Sequence, residues 1–137
     1  MKDYLVLRVV SKLLIPFILL FGFYVQMHGD YGPGGGFQAG VIIASALILY
    51  AIIFNIGIAR KAAPMWIITS ISCVGLLLYV GVGIATMIAG GQFLEYGFLS
   101  TNSASGNHTG ILIIEIGVGI TVSAVMLMIF FSLADRR

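Results

Sequence analysis

The sequence predicts an all-α integral membrane protein with four transmembrane helices and both termini in the cytoplasm. Three observations carry this. The 137 residues are 60% hydrophobic and only 9% charged, whereas soluble domains carry about a quarter charged residues. Four apolar runs, roughly 4–27, 37–59, 65–89 and 109–133, each reach the ~20 residues a helix needs to cross the ~30 Å hydrocarbon core. All seven Lys and Arg then fall on one side: Lys2, Arg8 and Lys12 at the first run, Arg60 and Lys61 between the second and third, Arg136 and Arg137 at the end. The connections 28–36 and 90–108 hold none. That asymmetry predicts a multi-pass protein of the cell membrane with the basic side cytoplasmic.

Taken in order, the first run carries Arg8 and Lys12 in its opening turns, where long side chains can snorkel to the headgroups. Pro16 lies about one turn further in, a place for a kink. Basic residues followed by an apolar stretch also describe a signal peptide. No small-x-small cleavage site follows before His28, so a retained helix is expected. The second run is expected to continue through residue 59. Pro64 marks the start of the third run, where a missing N–H costs nothing. Cys73, the only cysteine, lies within that run and excludes an intrachain disulfide or a cysteine metal site. Phe93, Glu95, Tyr96 and Phe98 suit a membrane interface. The polar stretch 100–107 is expected to be flexible before the fourth run begins near 109. The four helices account for nearly the whole chain as one unit, residues 1–137.

Several functions are excluded on chemistry. The net charge of +2 comes from the membrane-flanking residues and gives no reason to expect nucleic acid. Two histidines and one mid-helix cysteine form no nucleophile–base pair and no metal cluster, so neither an enzyme, a metal nor a cofactor is expected. The glycine-rich stretch lacks the Gly-x-x-x-x-Gly-Lys-Ser/Thr order of a phosphate-binding loop.

Two places remain as candidate sites. The turn from His28 to Gly40 holds six glycines together with Pro33. His28, Asp30, Pro33, Gly34, Gly35, Gly36 and Phe37 are its candidates for a structural or assembly role, since glycine permits backbone angles other residues resist. The four-residue spacings Gly36–Gly40–Ala44 and Gly119–Ser123 are helix-packing candidates. Glu115 is the one acid inside a span and the ion-linked candidate. It is expected about five residues, roughly 8 Å, inside the fourth helix. An ionised side chain at the bilayer centre costs on the order of 3 kcal/mol, so Glu115 should face protein or water. His108 would share its face if that helix began far enough out.

His28 with the run Pro33-Gly-Gly-Gly-Phe-Gln-Ala-Gly40, at the start of the second of four short helices, resembles the small B subunit of the bacterial multisubunit sodium/proton antiporters (the Mrp or Mnh family). The resemblance covers length, four spans, the glycine-rich turn and the polar loop before the last helix. It implies an accessory membrane subunit of a complex that exchanges Na+ for H+ and supports pH homeostasis. The implied partners are the large A and D subunits, similar to the proton-pumping subunits of respiratory complex I, and other small membrane subunits. Two alternatives stand beside it: the equivalent subunit of an ion-translocating membrane-bound hydrogenase, and an autonomous homo-oligomeric transporter. The absence of aligned mid-membrane charges weighs against the latter.

Overall fold

The computed structural model describes residues 4–29 and 34–135. Lys2, Asp30, Pro33, Arg136 and Arg137, named above, lie outside the described residues. The chain is all-helical among those residues, and four of its helices are long and apolar enough to cross a membrane. Helices are what such sequences must form, because lipid offers no partner to an unpaired backbone N–H or C=O.

Helix α1 spans Leu5–Met27 and contains Pro16. Helix α2 spans Gly36–Phe54, 19 residues, or about 28 Å. It does not run on to residue 59 as the hydrophobicity suggested. Asn55 breaks it with φ 121°, and the Asn55 side chain accepts the Gly57 N–H at 2.7 Å. A short polar side chain thus competes with the helix backbone and caps a separate short helix, α3, Ile56–Ala62. Pro64 precedes α4, Met65–Ile88, and its carbonyl accepts the Ile67 and Ile68 N–H groups.

A loop with a 3-10 turn at Tyr96–Leu99 leads to α5, Ser103–Ala134. Residues 103–107 are therefore helical, against the expectation of a flexible polar stretch. The reason is packing: a Cβ placed on Gly106 would lie 2.6 Å from the Tyr96 carbonyl, and one on Gly110 2.6 Å from the Tyr96 ring. The turn clamps onto two side-chain-free positions and holds the first turns of α5. At 32 residues α5 is about 48 Å long, well beyond the ~30 Å core.

The long helices stand in a row, α1–α2–α5–α4, rather than closing into a compact bundle. Helix α4 packs against α5, α5 against α2, and α2 against α1, with a lesser contact between α1 and α5. Two glycines of α5 explain its place in the middle. Gly117 faces α4, where its Cβ would lie 2.9 Å from the Gly75 carbonyl. Gly119 faces Gln26 of α1 and Gly36 of α2. Residues two apart on a helix point about 200° apart, so α5 offers a close-approach surface on opposite sides.

Along their axes, the two ends of the helices differ. At one, Ala51, Ala59, Ile68, Ala124, Leu127 and Phe131 form a buried apolar cluster, and Arg60 pairs with Asp135 at 2.5 and 3.1 Å. Arg8 and Lys12 lie there too, beside Phe54. The four described basic residues are thus gathered at a single end. The other end is rich in glycine and holds Glu115.

Candidate functional site

The candidate site forms where the α1–α2 turn meets α5. Helix α1 ends at His28, whose backbone N–H donates to the Val25 carbonyl at 3.3 Å and whose ring stacks on Tyr24, centroids 5.0 Å apart. Gly29 follows directly. A Cβ at Gly29 would run into both carboxylate oxygens of Glu115. Gly34 leaves 3.0 Å between such a Cβ and the Val25 carbonyl. Gly35 has φ 127° and precedes the first residue of α2, a backbone region that disfavours any side chain. Its Cβ would lie 3.3 Å from Glu115 Oε1. Gly36 abuts the Glu115 backbone carbonyl. Three glycines therefore make the space in which one glutamate lies.

Helix α5 delivers Glu115 from its side, not from its end. Glu115 comes twelve residues after Ser103, the first residue of α5, about 18 Å of rise, rather than the 8 Å anticipated. Yet Glu115 is level with the start of α2, because α5 projects beyond its neighbours. The carboxylate is half-buried and close to the amino end of α2, which carries no side-chain cap. A negative charge is stabilised there by the helix dipole, by about 0.3–1 kcal/mol when exposed and more when partly buried. His108 is part of the same helix and exposed. At seven residues' separation it shares the face of Glu115, about 10 Å along the axis.

Phe37 departs from the rest of the turn. It is 60% exposed and lines a groove with Phe21, Val25 and Ile42. The packing candidates separate likewise. Gly36, Gly40 and Ala44 are buried in α2, and a Cβ at Gly40 would lie 2.7 Å from the Gly119 carbonyl. Ser123 is half-buried, and its hydroxyl donates to Ile120 O of its own helix at 3.0 Å.

Sequence reasoning missed Gln26. This α1 residue is 7% exposed, its Oε1 is the nearest neighbour of a Cβ built on Gly119, and its buried Nε2 has no hydrogen-bond partner. Gly119 follows Glu115 by one turn, so amide and carboxylate occupy successive positions on one face of α5. An amide two residues before His28 in an apolar run was the available signal. Thr86, also fully buried, donates to Gly83 O at 2.8 Å and accepts the Leu94 N–H at 3.0 Å, folding the following loop back over α4. Within that loop, burial and then the neighbouring Tyr79 push the Tyr96 phenol above its ordinary pKa.

Chemically, a half-buried carboxylate can take up a proton or hold a monovalent cation. No group of three or more His, Cys, Asp or Glu able to hold a metal ion occurs among the described residues.

Comparison with known proteins matches residues 6–128 to a family described as a domain related to the MnhB subunit of Na+/H+ antiporter. An antiporter subunit mnhB2 of Staphylococcus epidermidis is 30% identical over 135 residues, covering 96% of this chain and 95% of the relative. Its counterpart in Staphylococcus aureus strain MRSA252 is 34% identical with the same coverage. The B subunit of the Na(+)/H(+) antiporter of Bacillus subtilis is 35% identical over 94 residues, 69% of this chain and 65% of the relative.

Proposed function

The chain belongs to the family of MnhB-related subunits of Na+/H+ antiporters, and from that premise we propose that it is an accessory membrane subunit required for assembly, with Glu115 bordering an ion route. The observation that carries this reading is the seat of Glu115 among Gly29, Gly35 and Gly36. The carboxylate is held in one place by three elements, yet among the described residues no series of ionisable groups leads from it along the helices. Apart from the thiol of Cys73, the other described ionisable side chains within the long helices are basic or aromatic, or lie near a helix end: Arg8 and Lys12 at the start of α1, His108 near the start of α5. A carboxylate seated there suits one wall of a path completed by larger subunits.

The large A and D subunits are the proposed partners, with Na+ and H+ as the ions the whole complex exchanges. The proposed location is the bacterial plasma membrane with both termini cytoplasmic. The gathering of Arg8, Lys12, Arg60 and Lys61 at one end supports that orientation. Within the turn, His28 and Gly34–Phe37 are proposed to serve assembly, as are Asp30 and Pro33. Gly36, Gly40, Ala44, Gly119 and Ser123 are proposed as packing positions.

Purification of a tagged chain from its native membrane in mild detergent, with mass spectrometry of what remains bound, tests the proposal. Large antiporter-like subunits are expected in the eluate. A homogeneous oligomer of this chain alone would overturn the accessory role.

A further inference from the structure

Arg8 and Lys12 stand one turn apart on the same face of α1. Both converge on a single ring: the Arg8 guanidinium carbon lies 5.7 Å and the Lys12 nitrogen 5.6 Å from the centre of Phe54, the last residue of α2. An aromatic face attracts each cation but carries no net charge, so two like charges remain side by side. No described carboxylate answers them. Asp135 is held by Arg60, Glu95 accepts the Gln92 N–H, and Glu115 is at the opposite, glycine-rich end.

The surroundings define what anion fits. A cavity of about 370 Å³ opens beside Arg8, walled by Leu7, Ile52 and Ile53 and edged by Tyr4 and Asn55. Its walls are hydrocarbon and its rim is polar, which is the division within a phospholipid. Their Cα atoms are about 6 Å apart along the helix axis, and both charged groups lie within 5.7 Å of the same ring centre. One phosphate between them reaches both, while the glycerol and upper acyl chain follow the wall of Leu7 and Ile52. We propose that Arg8, Lys12 and the groove beside Phe54 form a binding site for an anionic glycerophospholipid.

The test uses membranes holding the intact complex, loaded with phosphatidylglycerol or phosphatidylcholine that bears a photoreactive diazirine near the glycerol. Adducts on the peptides containing Leu7 and Ile52 are quantified after photolysis. Wild type is expected to label at least about fivefold more with phosphatidylglycerol, the factor that corresponds to one Lys or Arg acting directly on an anionic headgroup. R8Q/K12Q is expected to bring labelling down to the phosphatidylcholine level, and K61Q, which is neither over the Phe54 ring nor in the cavity wall, to leave it unchanged. If the double variant fails to assemble, R8Q and K12Q singly carry the comparison, each lowering the preference. Equal labelling by the two lipids would overturn the site, as would an equal loss in K61Q. Displacement by millimolar inorganic phosphate would point to a free anion instead. Absence of lipid adducts on these peptides, with labelling of a neighbouring subunit instead, would make the patch a protein contact and also overturn it.

Discussion

Gly36 of α2 lies against the backbone carbonyl of Glu115 on α5, with no room for a Cβ between them. The neighbour is backbone on a packed helix, so it cannot swing aside as a flexible side chain would. Position 36 therefore sets both the distance between the two helices and the place of the carboxylate.

Gly36→Ala is expected to force α2 and α5 apart. Overpacking of this kind costs about 1–3 kcal/mol. The expected result is a lower thermal midpoint of the purified complex and a smaller yield of assembled complex on a native gel. Wild-type behaviour on both would contradict the close approach. Gly35→Val should also impair assembly, because φ 127° resists a β-branched side chain.

Glu115→Gln keeps the shape of the side chain and removes its charge. Antiport in everted vesicles should fall, or its pH profile should shift, with the yield of complex unchanged. Unaltered transport would remove Glu115 from the ion route. Loss of transport only together with loss of assembly would reassign it to packing.

Gln26→Leu replaces a buried amide whose Nε2 has no partner with an apolar side chain of similar volume. Leaving a buried donor unsatisfied costs about 1–3 kcal/mol. The variant is expected to melt no lower than wild type. A clear fall in the midpoint would mean that the amide is hydrogen-bonded in the working protein.

The Arg60–Asp135 pair makes a prediction in pH. The hydrogen bond and charge of Arg60 hold the Asp135 carboxyl below its ordinary value, and Asp135 raises the Arg60 guanidinium above its own. A lowered carboxyl pKa gives stability that is fully present above the unfolded value of about 3.9 and is lost as pH falls through the folded value. The raised guanidinium gives stability present below its unfolded value and lost only in strong alkali. The pair should thus be indifferent to pH between about 6 and 10. Asp135→Asn should change stability slightly and equally across that range, because both groups are exposed and screened by water and salt. A pH-dependent effect there would show that another group titrates with the pair.

The sequence by itself determined the class of protein and much of its plan. Helical spans follow from the length of the apolar runs, because backbone groups in lipid must pair within their own segment. The four-residue spacing of Gly36, Gly40 and Ala44 could be read as a stripe of small residues on one helix face, but not which helix it would meet. Hydrophobicity could not reveal the break at Asn55, which depends on one side chain capping α3, nor the early start of α5, which depends on Tyr96 reaching Gly106 and Gly110. Only the tertiary structure decided the row α1–α2–α5–α4. Uniformly apolar helices do not advertise which face meets a neighbour, and Gly117 and Gly119 acquire opposite partners only once the helices are in place. It also decided that Glu115 meets Gly29, Gly35 and Gly36, residues 79 or more positions away in the chain. That meeting is set by how far α5 projects past α2, a distance no local pattern encodes.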